Sequence, residues 1–147
     1  MMEVMETVTV IGAGFAGCEA SYALAQRGIP VRLYEMKPKK YSPAHHYEGF
    51  AELVCSNSFK ANRLASAAGL LKQEMRMLGS LTVGCAEQAA VPAGGALAVD
   101  RYMFSDLVTE NIRKHPLIEV LTSEVEMVPE KGPVVIATGP LTSEPLA

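Results

Sequence analysis

The sequence predicts an α/β fold with a doubly wound, mainly parallel sheet. Short β-branched runs alternate with longer segments of helical periodicity, which is the order expected of βαβ units. A cluster of glycines directly follows the first of these runs. The chain has 147 residues, of which 49% are apolar and 20% charged, so it is long and apolar enough for one domain with a single core.

The chain opens with a βαβ unit. Thr7 to Ile11 is a β-branched apolar run, too short for a helix, and it stops at glycine. A helix is predicted from about Gly14 to Arg27, with Gly28 at the C-terminal cap position. Val31 to Tyr34 is the second predicted strand, and it ends at Glu35. Prolines then break regular structure, so we expect a loop to about residue 57.

A second long helix is predicted from Ser58 to Leu78. Apolar residues at helical spacing form a stripe that we expect to face the core: Leu64, Ala67, Leu71, Met75 and Leu78. The segment from Ser80 to Ala90 is ambiguous between helix and irregular chain.

The last part of the chain returns to alternating elements. Ala96 to Val99 is a predicted strand, and Asp100 is a suitable cap for a helix from Arg101 to Lys114. Three further short runs complete the predicted strands: Ile118 to Leu121, Val125 to Val128, and Val134 to Ala137.

The glycine cluster is a GxGxxG motif made by Gly12, Ala13, Gly14, Phe15, Ala16 and Gly17. The motif alone is weak, but here it follows a strand, opens a helix and precedes a strand that ends in an acid. Gly12 would allow the tight turn, Gly14 would let a pyrophosphate approach the backbone, and Gly17 would let helix and sheet pack closely. The helix N-terminus would bind the phosphates. The motif predicts a Rossmann-like FAD/NAD(P)-binding domain, against the alternative of a βα turn that needs glycines only for packing.

Glu35 lies eighteen residues after Gly17 and is expected to accept hydrogen bonds from a ribose diol. The motif does not separate FAD from NAD, and the glutamate disfavours the 2′-phosphate of NADP. Lys37, Lys39 and Lys40 follow, and we interpret them as a solvated loop.

Cys55 is the candidate catalytic residue. Ser56, Asn57 and Ser58 are good N-cap residues, so Cys55 is expected just before the second helix. The helix dipole and the nearby basic residues would then favour the nucleophilic thiolate. The alternative from the residues alone is a buried structural cysteine.

Several segments of the chain resemble one known family. These are Val10 to Gly14, Pro43 to His46, Phe50 to Ser58, Val91 to Arg101 and Val134 to Ser143. They are similar to the folate/FAD-dependent tRNA (uracil-5-)-methyltransferases, called TrmFO, and the resemblance covers essentially the whole chain. The run from Gly17 to Ala20 also resembles the related GidA-type tRNA-modifying flavoproteins.

The resemblance implies a cofactor, co-substrates and a reaction. FAD would be reduced by NAD(P)H, and methylenetetrahydrofolate would supply the carbon that reaches C5 of a uracil in the tRNA T loop. Cys55 matches a functional cysteine of the family, acting either as the uracil nucleophile or as a group that protects the flavin-bound carbon. Cofactor contacts are also implied at Val125, Thr138 and Gly139.

The resemblance also implies a particular domain organisation. Members of the family are much longer, so we expect residues 1–147 to be the FAD-binding N-terminal portion of a longer enzyme, with residues 41–100 as an insertion that carries the cysteine loop. tRNA would be bound mainly through the rest of that enzyme, and the fragment is expected to be inactive alone. The net charge of −3 agrees, because phosphate binding needs basic residues.

The composition argues against several other classes. The start is acidic and no long apolar run is present, so we expect a cytoplasmic protein with no membrane partner. Three widely spaced cysteines form no CxxC pair, and the adjacent His45 and His46 have no third ligand at suitable spacing, so no metal site is predicted. Two alternatives stay open: another FAD- or NAD-dependent oxidoreductase, and a non-catalytic nucleotide-binding fragment.

Overall fold

A computed structural model describes residues 6–147 and contains two sheets and four α-helices. The strands are β1 (Val8–Ile11), β2 (Val31–Glu35), β3 (Ser58–Ala61), β4 (Ala90–Val91), β5 (Ala96–Val99), β6 (Ile118–Thr122) and β7 (Val134–Ile136). The helices are α1 (Phe15–Ala25), α2 (Ala67–Met77), α3 (Leu81–Gln88) and α4 (Arg101–Lys114), and a short 3-10 turn follows at Gly139–Leu141.

Four strands form a parallel sheet in the order β6-β2-β1-β7. The chain runs outward from β1 through β2 to β6 and then returns to the other side of β1 as β7. This reversal leaves a crevice at the carboxyl ends of β1 and β7, which is where open α/β sheets bind ligands. The predicted α/β fold with a parallel sheet is therefore confirmed.

The core lies where α1 and α4 pack beside this sheet. Val10 and Leu33 of the sheet are fully buried, as are Phe104, Val108 and Ile112 along one face of α4. The predicted helix from Arg101 to Lys114 is confirmed, and the Asp100 carboxylate caps it by accepting from two backbone N–H groups of its first turn.

The predicted helix from Ser58 to Leu78 is wrong in its first part, because Ser58–Ala61 is β3. This strand pairs antiparallel with β5, which also pairs with β4, so the middle of the chain forms a second sheet. The polar residues that suggested a helix cap make other hydrogen bonds. Asn57 donates from its side chain to the Val99 carbonyl, and the Ser56 hydroxyl accepts from the Ser58 N–H. The true N-cap of α2 is Ser66, which accepts from the Gly69 N–H.

The apolar stripe predicted for this second helix does not face the core within residues 6–147. Leu64, Leu71 and Leu78 are all more than half exposed, whereas Gly69 and Lys72 are the buried residues of α2. The Lys72 ammonium donates to the carbonyls of Phe59 and Ala68, which compensates for its burial. Helical periodicity correctly predicted a helix here, but not which of its faces is buried.

Two further segments differ from or refine the prediction. Val125 to Val128 is irregular chain rather than a strand, so β6 is followed directly by a loop. The ambiguous segment from Ser80 to Ala90 contains α3, whose N-terminal N–H groups at Leu81 and Thr82 donate to the Glu19 carboxylate of α1.

Aromatic contacts join the second sheet to the first βαβ unit. Phe59 of β3 packs against Phe15 at the start of α1 and against Phe104 of α4, with ring centroids 5.8 Å and 5.3 Å away. Phe15 and Phe104 also stack on each other at 5.4 Å. These contacts fix β3 next to the glycine motif. In residues 6–147 no helix is long and apolar enough to cross a bilayer.

Candidate functional site

A cleft of about 310 Å³ opens at the carboxyl ends of β1, β2 and β7. Most of the residues predicted to bind the cofactor line it: Gly12, Ala13, Gly14, Phe15, Ala16, Glu35, Val125, Thr138 and Gly139. These positions are far apart in the sequence, and the parallel sheet brings them to one edge. The cleft therefore lies at the crevice that the strand order creates.

The three glycines of the motif differ in what surrounds them. Gly12 has φ +98°, and a Cβ there would lie 2.8 Å from the Ala137 carbonyl oxygen of the neighbouring strand end. A Cβ on Gly17 would lie 1.7 Å from the Gly12 carbonyl oxygen, so Gly17 is needed for packing and does not line the cleft. A Cβ on Gly14 would meet nothing within 4 Å. Gly14 thus leaves space in the cleft, while Gly12 and Gly17 allow backbone segments to approach each other closely.

Glu35 joins the end of β2 to the glycine motif. One carboxylate oxygen accepts from the Ala13 N–H and the other from the Lys37 N–H, both at 2.9 Å, and the side chain is buried. A carboxylate has about four acceptor positions, so these bonds leave capacity for a ligand hydroxyl. Glu35 therefore holds the motif in shape in addition to the ribose contact predicted for it.

Lys37 is buried, so the expectation that it belongs to a solvated loop is wrong for this residue. Its ammonium group donates to the carbonyls of Tyr47 and Gly49, at 2.9 Å and 2.6 Å, and lies 3.5 Å from the Glu52 carboxylate. Glu52 in turn accepts from the N–H groups of His46 and Tyr47. Burial alone would raise the pKa of Glu52, but these two N–H donors and the ammonium together lower it. The pair fixes the loop of residues 45–52 against the cleft.

A histidine paired with a buried serine lines the same wall. The buried Ser42 hydroxyl oxygen accepts from the Ala44 N–H and lies 2.5 Å from His45 Nδ1. This contact orients the His45 ring, which lines the cleft.

Cys55 is exposed and does not line the cleft, although Val54 before it does. The expectation that Cys55 precedes a helix is wrong, since β3 begins three residues later and α2 only at Ala67. The helix-dipole argument for its thiolate therefore fails, and its accessibility is what remains in favour of a chemical role.

The other two cysteines are buried. Cys18 donates to the Ala13 carbonyl, and burial and then the Glu35 charge raise the pKa of its thiol far above the ordinary value. Burial and the Glu19 charge raise the pKa of Cys85 to about 11. Both are therefore unreactive packing residues at neutral pH. Across residues 6–147, no group of three or more His, Cys, Asp and Glu side chains is arranged to hold a metal ion.

Sequence reasoning missed most of the outer wall of the cleft. Lys37, Ser42, His45 and Glu52 belong to this wall, which comes from the loop between β2 and β3. That loop is held by tertiary contacts, such as the Ala51 N–H donating to the Ala13 carbonyl at 2.9 Å. Two signals pointed to this loop: its position after the second strand, where α/β folds carry binding loops, and the family resemblance of Pro43 to His46 and Phe50 to Ser58.

The family model described as glucose inhibited division protein A matches residues 7–146 of this chain. The chain belongs to this family. The match confirms the resemblance to GidA-type proteins. A solved structure of GidA from Aquifex aeolicus is 16% identical and superposes with a TM-score of 0.65, covering 88% of this chain and 22% of that one. At this identity, the superposition supports the fold alone.

Curated relatives in this family are much more similar in sequence. The methylenetetrahydrofolate--tRNA-(uracil-5-)-methyltransferase TrmFO of Acetivibrio thermocellus is 59% identical over 143 residues, which is 97% of this chain and 33% of that protein. The enzymes of the same name from Bacillus licheniformis and Bacillus subtilis are 60% and 58% identical, each over 142 residues and 32% of their length. The resemblance to TrmFO enzymes is confirmed, and the chain spans about a third of the length of these relatives.

Proposed function

We propose that this chain is the FAD-binding part of an enzyme that methylates C5 of uracil in the T loop of tRNA, using methylenetetrahydrofolate and NAD(P)H. The observation that carries the proposal is the cleft at the sheet edge, where the glycine motif and Glu35 meet. It is supported by the roughly 60% identity to TrmFO enzymes. Residues 1–147 would form this part, with residues 41–100 as its insertion. A cytoplasmic location belongs to the proposal because tRNA is the substrate.

The residues of the cleft fit a dinucleotide. The open space at Gly14 is what a pyrophosphate needs in order to reach the backbone, and the start of α1 directs free N–H groups towards it. Glu35, with acceptor capacity remaining, would bind the ribose. Val125, which follows β6, and the turn at Thr138 and Gly139, which follows β7, also line the cleft, where they would contact the rest of FAD.

The proposed reaction requires two electrons, because a methylene carbon must become a methyl group. FAD, when bound, would supply them from NAD(P)H and carry the one-carbon unit. Addition of the Cys55 thiolate to C6 of uracil would make C5 nucleophilic, and C5 would then form a bond to the one-carbon unit and displace its carrier. Loss of the C5 proton would leave an exocyclic methylene, and delivery of the two electrons as hydride to that carbon would expel the thiolate and restore the ring as 5-methyluracil. Cys55 is exposed beside a residue that lines the cleft, which is compatible with contact with a macromolecular substrate.

The test uses the full-length protein. It is purified, its flavin content is read from its absorbance, and it is incubated with a tRNA transcript, NADH and methylenetetrahydrofolate. We expect bound FAD and the appearance of 5-methyluridine in the T loop only when all components are present. Omitting folate is the matched control. Rapid NADH oxidation without folate or tRNA, and no methylated product, would instead indicate a different flavin-dependent oxidoreductase.

A further inference from the structure

A second, smaller cleft lies beside the first and is not explained by cofactor binding. Its volume is about 190 Å³, and Glu52 and Val54 line both clefts. The short segment between these two residues is therefore the wall that separates the clefts. Cys55 follows this wall directly in the chain. Any group held in the second cleft is thus close to the candidate nucleophile.

Two tyrosine rings form one side of this cleft. The centroids of Tyr47 and Tyr102 are 5.0 Å apart, with the rings inclined at 64°. The Tyr47 hydroxyl donates to the Asp106 carboxylate at 2.5 Å, which holds its ring in place. Tyr102 is 57% exposed, although it packs against this fixed ring. A flat aromatic surface that is both supported and accessible is suited to stacking of a nucleobase.

The guanidinium group of Arg101 is a cation in the same cleft as these rings. Arg101 lines the cleft and is exposed, and it forms no ion pair with any residue in the described part of the chain. Two carboxylates of this region already have partners, because Glu52 binds Lys37 and two N–H groups and Asp106 accepts from Tyr47. Arg101 is therefore available for an anion, and an aromatic ring beside a free guanidinium matches the base and phosphate of a nucleotide.

We propose that the second cleft binds the RNA nucleotide that flanks the target uridine, with its base on Tyr102 and its phosphate on Arg101. This inference rests on the function proposed above. In that reaction, the target uracil and the folate must both reach the cofactor, so both use the first cleft. A neighbouring nucleotide would then lie next to the first cleft, and the second cleft is separated from it only by residues 52–54. Cys55 follows this segment in the chain.

The experiment measures the affinity of the full-length protein for a tRNA T-arm hairpin, separately from methylation and flavin content. Tyr102→Ala is expected to weaken RNA binding by roughly five- to a hundredfold, because one stacking contact is lost. Tyr102→Phe, which keeps the ring, should retain nearly all of the affinity. Arg101→Gln should weaken binding and reduce the slope of log affinity against log salt by about 0.7, as expected for one lost phosphate contact. Arg101→Lys should retain most of that slope.

Tyr41→Ala is the matched control, since Tyr41 is a similarly exposed tyrosine that lines neither cleft. It should bind RNA like the unmodified protein, and all variants should retain FAD. Unchanged RNA affinity in Tyr102→Ala and Arg101→Gln, in an enzyme that methylates tRNA, would overturn this inference but not the proposed function. A raised KM for methylenetetrahydrofolate with unchanged RNA affinity would assign the cleft to folate instead. Absence of RNA binding and methylation in the unmodified protein would reject the proposed function itself.

Discussion

Replacing Lys37 by methionine tests whether the buried ammonium holds the loop that walls both clefts. Methionine fills nearly the same volume without strain but cannot donate a hydrogen bond. The carbonyls of Tyr47 and Gly49 would lose their donor, and Glu52 would lose its cationic partner while remaining largely buried. Removing one partner of a buried ion pair typically costs about 3–5 kcal/mol. This cost is a large part of the total stability of a domain, which is about 5–15 kcal/mol.

The effect should be visible in thermal unfolding followed by circular dichroism. For a chain of this size, each kcal/mol shifts Tm by about 2–4 °C, so Lys37→Met should lower Tm by about 6–20 °C. Lys39→Met is the matched control, because Lys39 is exposed and, among residues 6–147, its ammonium bonds only to the Thr122 carbonyl. Its Tm should change by about 2 °C or less.

A second variant separates the lost charge pair from the lost donors. Glu52→Gln keeps an acceptor oxygen for the two backbone N–H groups, and it removes the buried charge that Lys37→Met leaves without a partner. The double variant should therefore be more stable than the sum of the two single effects predicts. If Lys37→Met has the same Tm as Lys39→Met, the buried network contributes nothing measurable and this reasoning is refuted.

The glycine motif gives a contrast between two positions. Gly14→Val should abolish FAD binding while the protein stays folded, because the valine side chain would enter open space in the cleft. Gly17→Ala should instead prevent folding, because its methyl group would overlap the Gly12 carbonyl oxygen. Equal flavin loss and equal Tm in the two variants would contradict this contrast. Glu35→Ala should weaken FAD binding by roughly ten- to a hundredfold and also lower Tm, since a charged acceptor of two buried N–H groups is lost. A flavin titration and a melt that match the unmodified protein would show that Glu35 neither binds the cofactor nor stabilises the glycine motif. Cys55→Ala in the full-length enzyme should retain FAD and NADH-driven flavin reduction but lose tRNA methylation by several orders of magnitude, and near-normal methyl incorporation would leave Cys55 with no chemical role. The pKa of Glu52 is lowered from its ordinary value of 4.5, so its carboxylate adds stability that is present above that pH and is lost as the pH falls below it. Glu52→Gln should therefore flatten the acid side of the curve of Tm against pH. An unchanged curve would argue against a stabilising pair of Lys37 and Glu52.

Elements whose signals are local can be predicted from the sequence alone. The β1-α1-β2 unit was predictable because its strand, glycine turn and helix are adjacent in the chain and each needs particular residues there. The same is true of α4, because the capping residue Asp100 and the apolar residues of its buried face are all close together in the sequence. The cleft residues at Gly12, Gly14 and Glu35 followed from this unit, since the spacing from the motif to the acid fixes where they meet.

The arrangement of the residues between β2 and α4 depends on contacts between distant parts of the chain. Ser58–Ala61 contains residues that suit a helix start, but pairing with β5 supplies its backbone with hydrogen bonds that local propensity does not reveal. Because of this pairing, β3 rather than a helix follows Cys55, so the predicted activation of its thiol by a helix dipole is absent. From the sequence, Lys37 is expected to lie on the surface. It is buried because two carbonyls and a carboxylate from ten to fifteen residues away surround its ammonium group. Contacts between distant residues depend on how the sheets pack, and for that reason the chemistry beside the second cleft could not be predicted from local pattern.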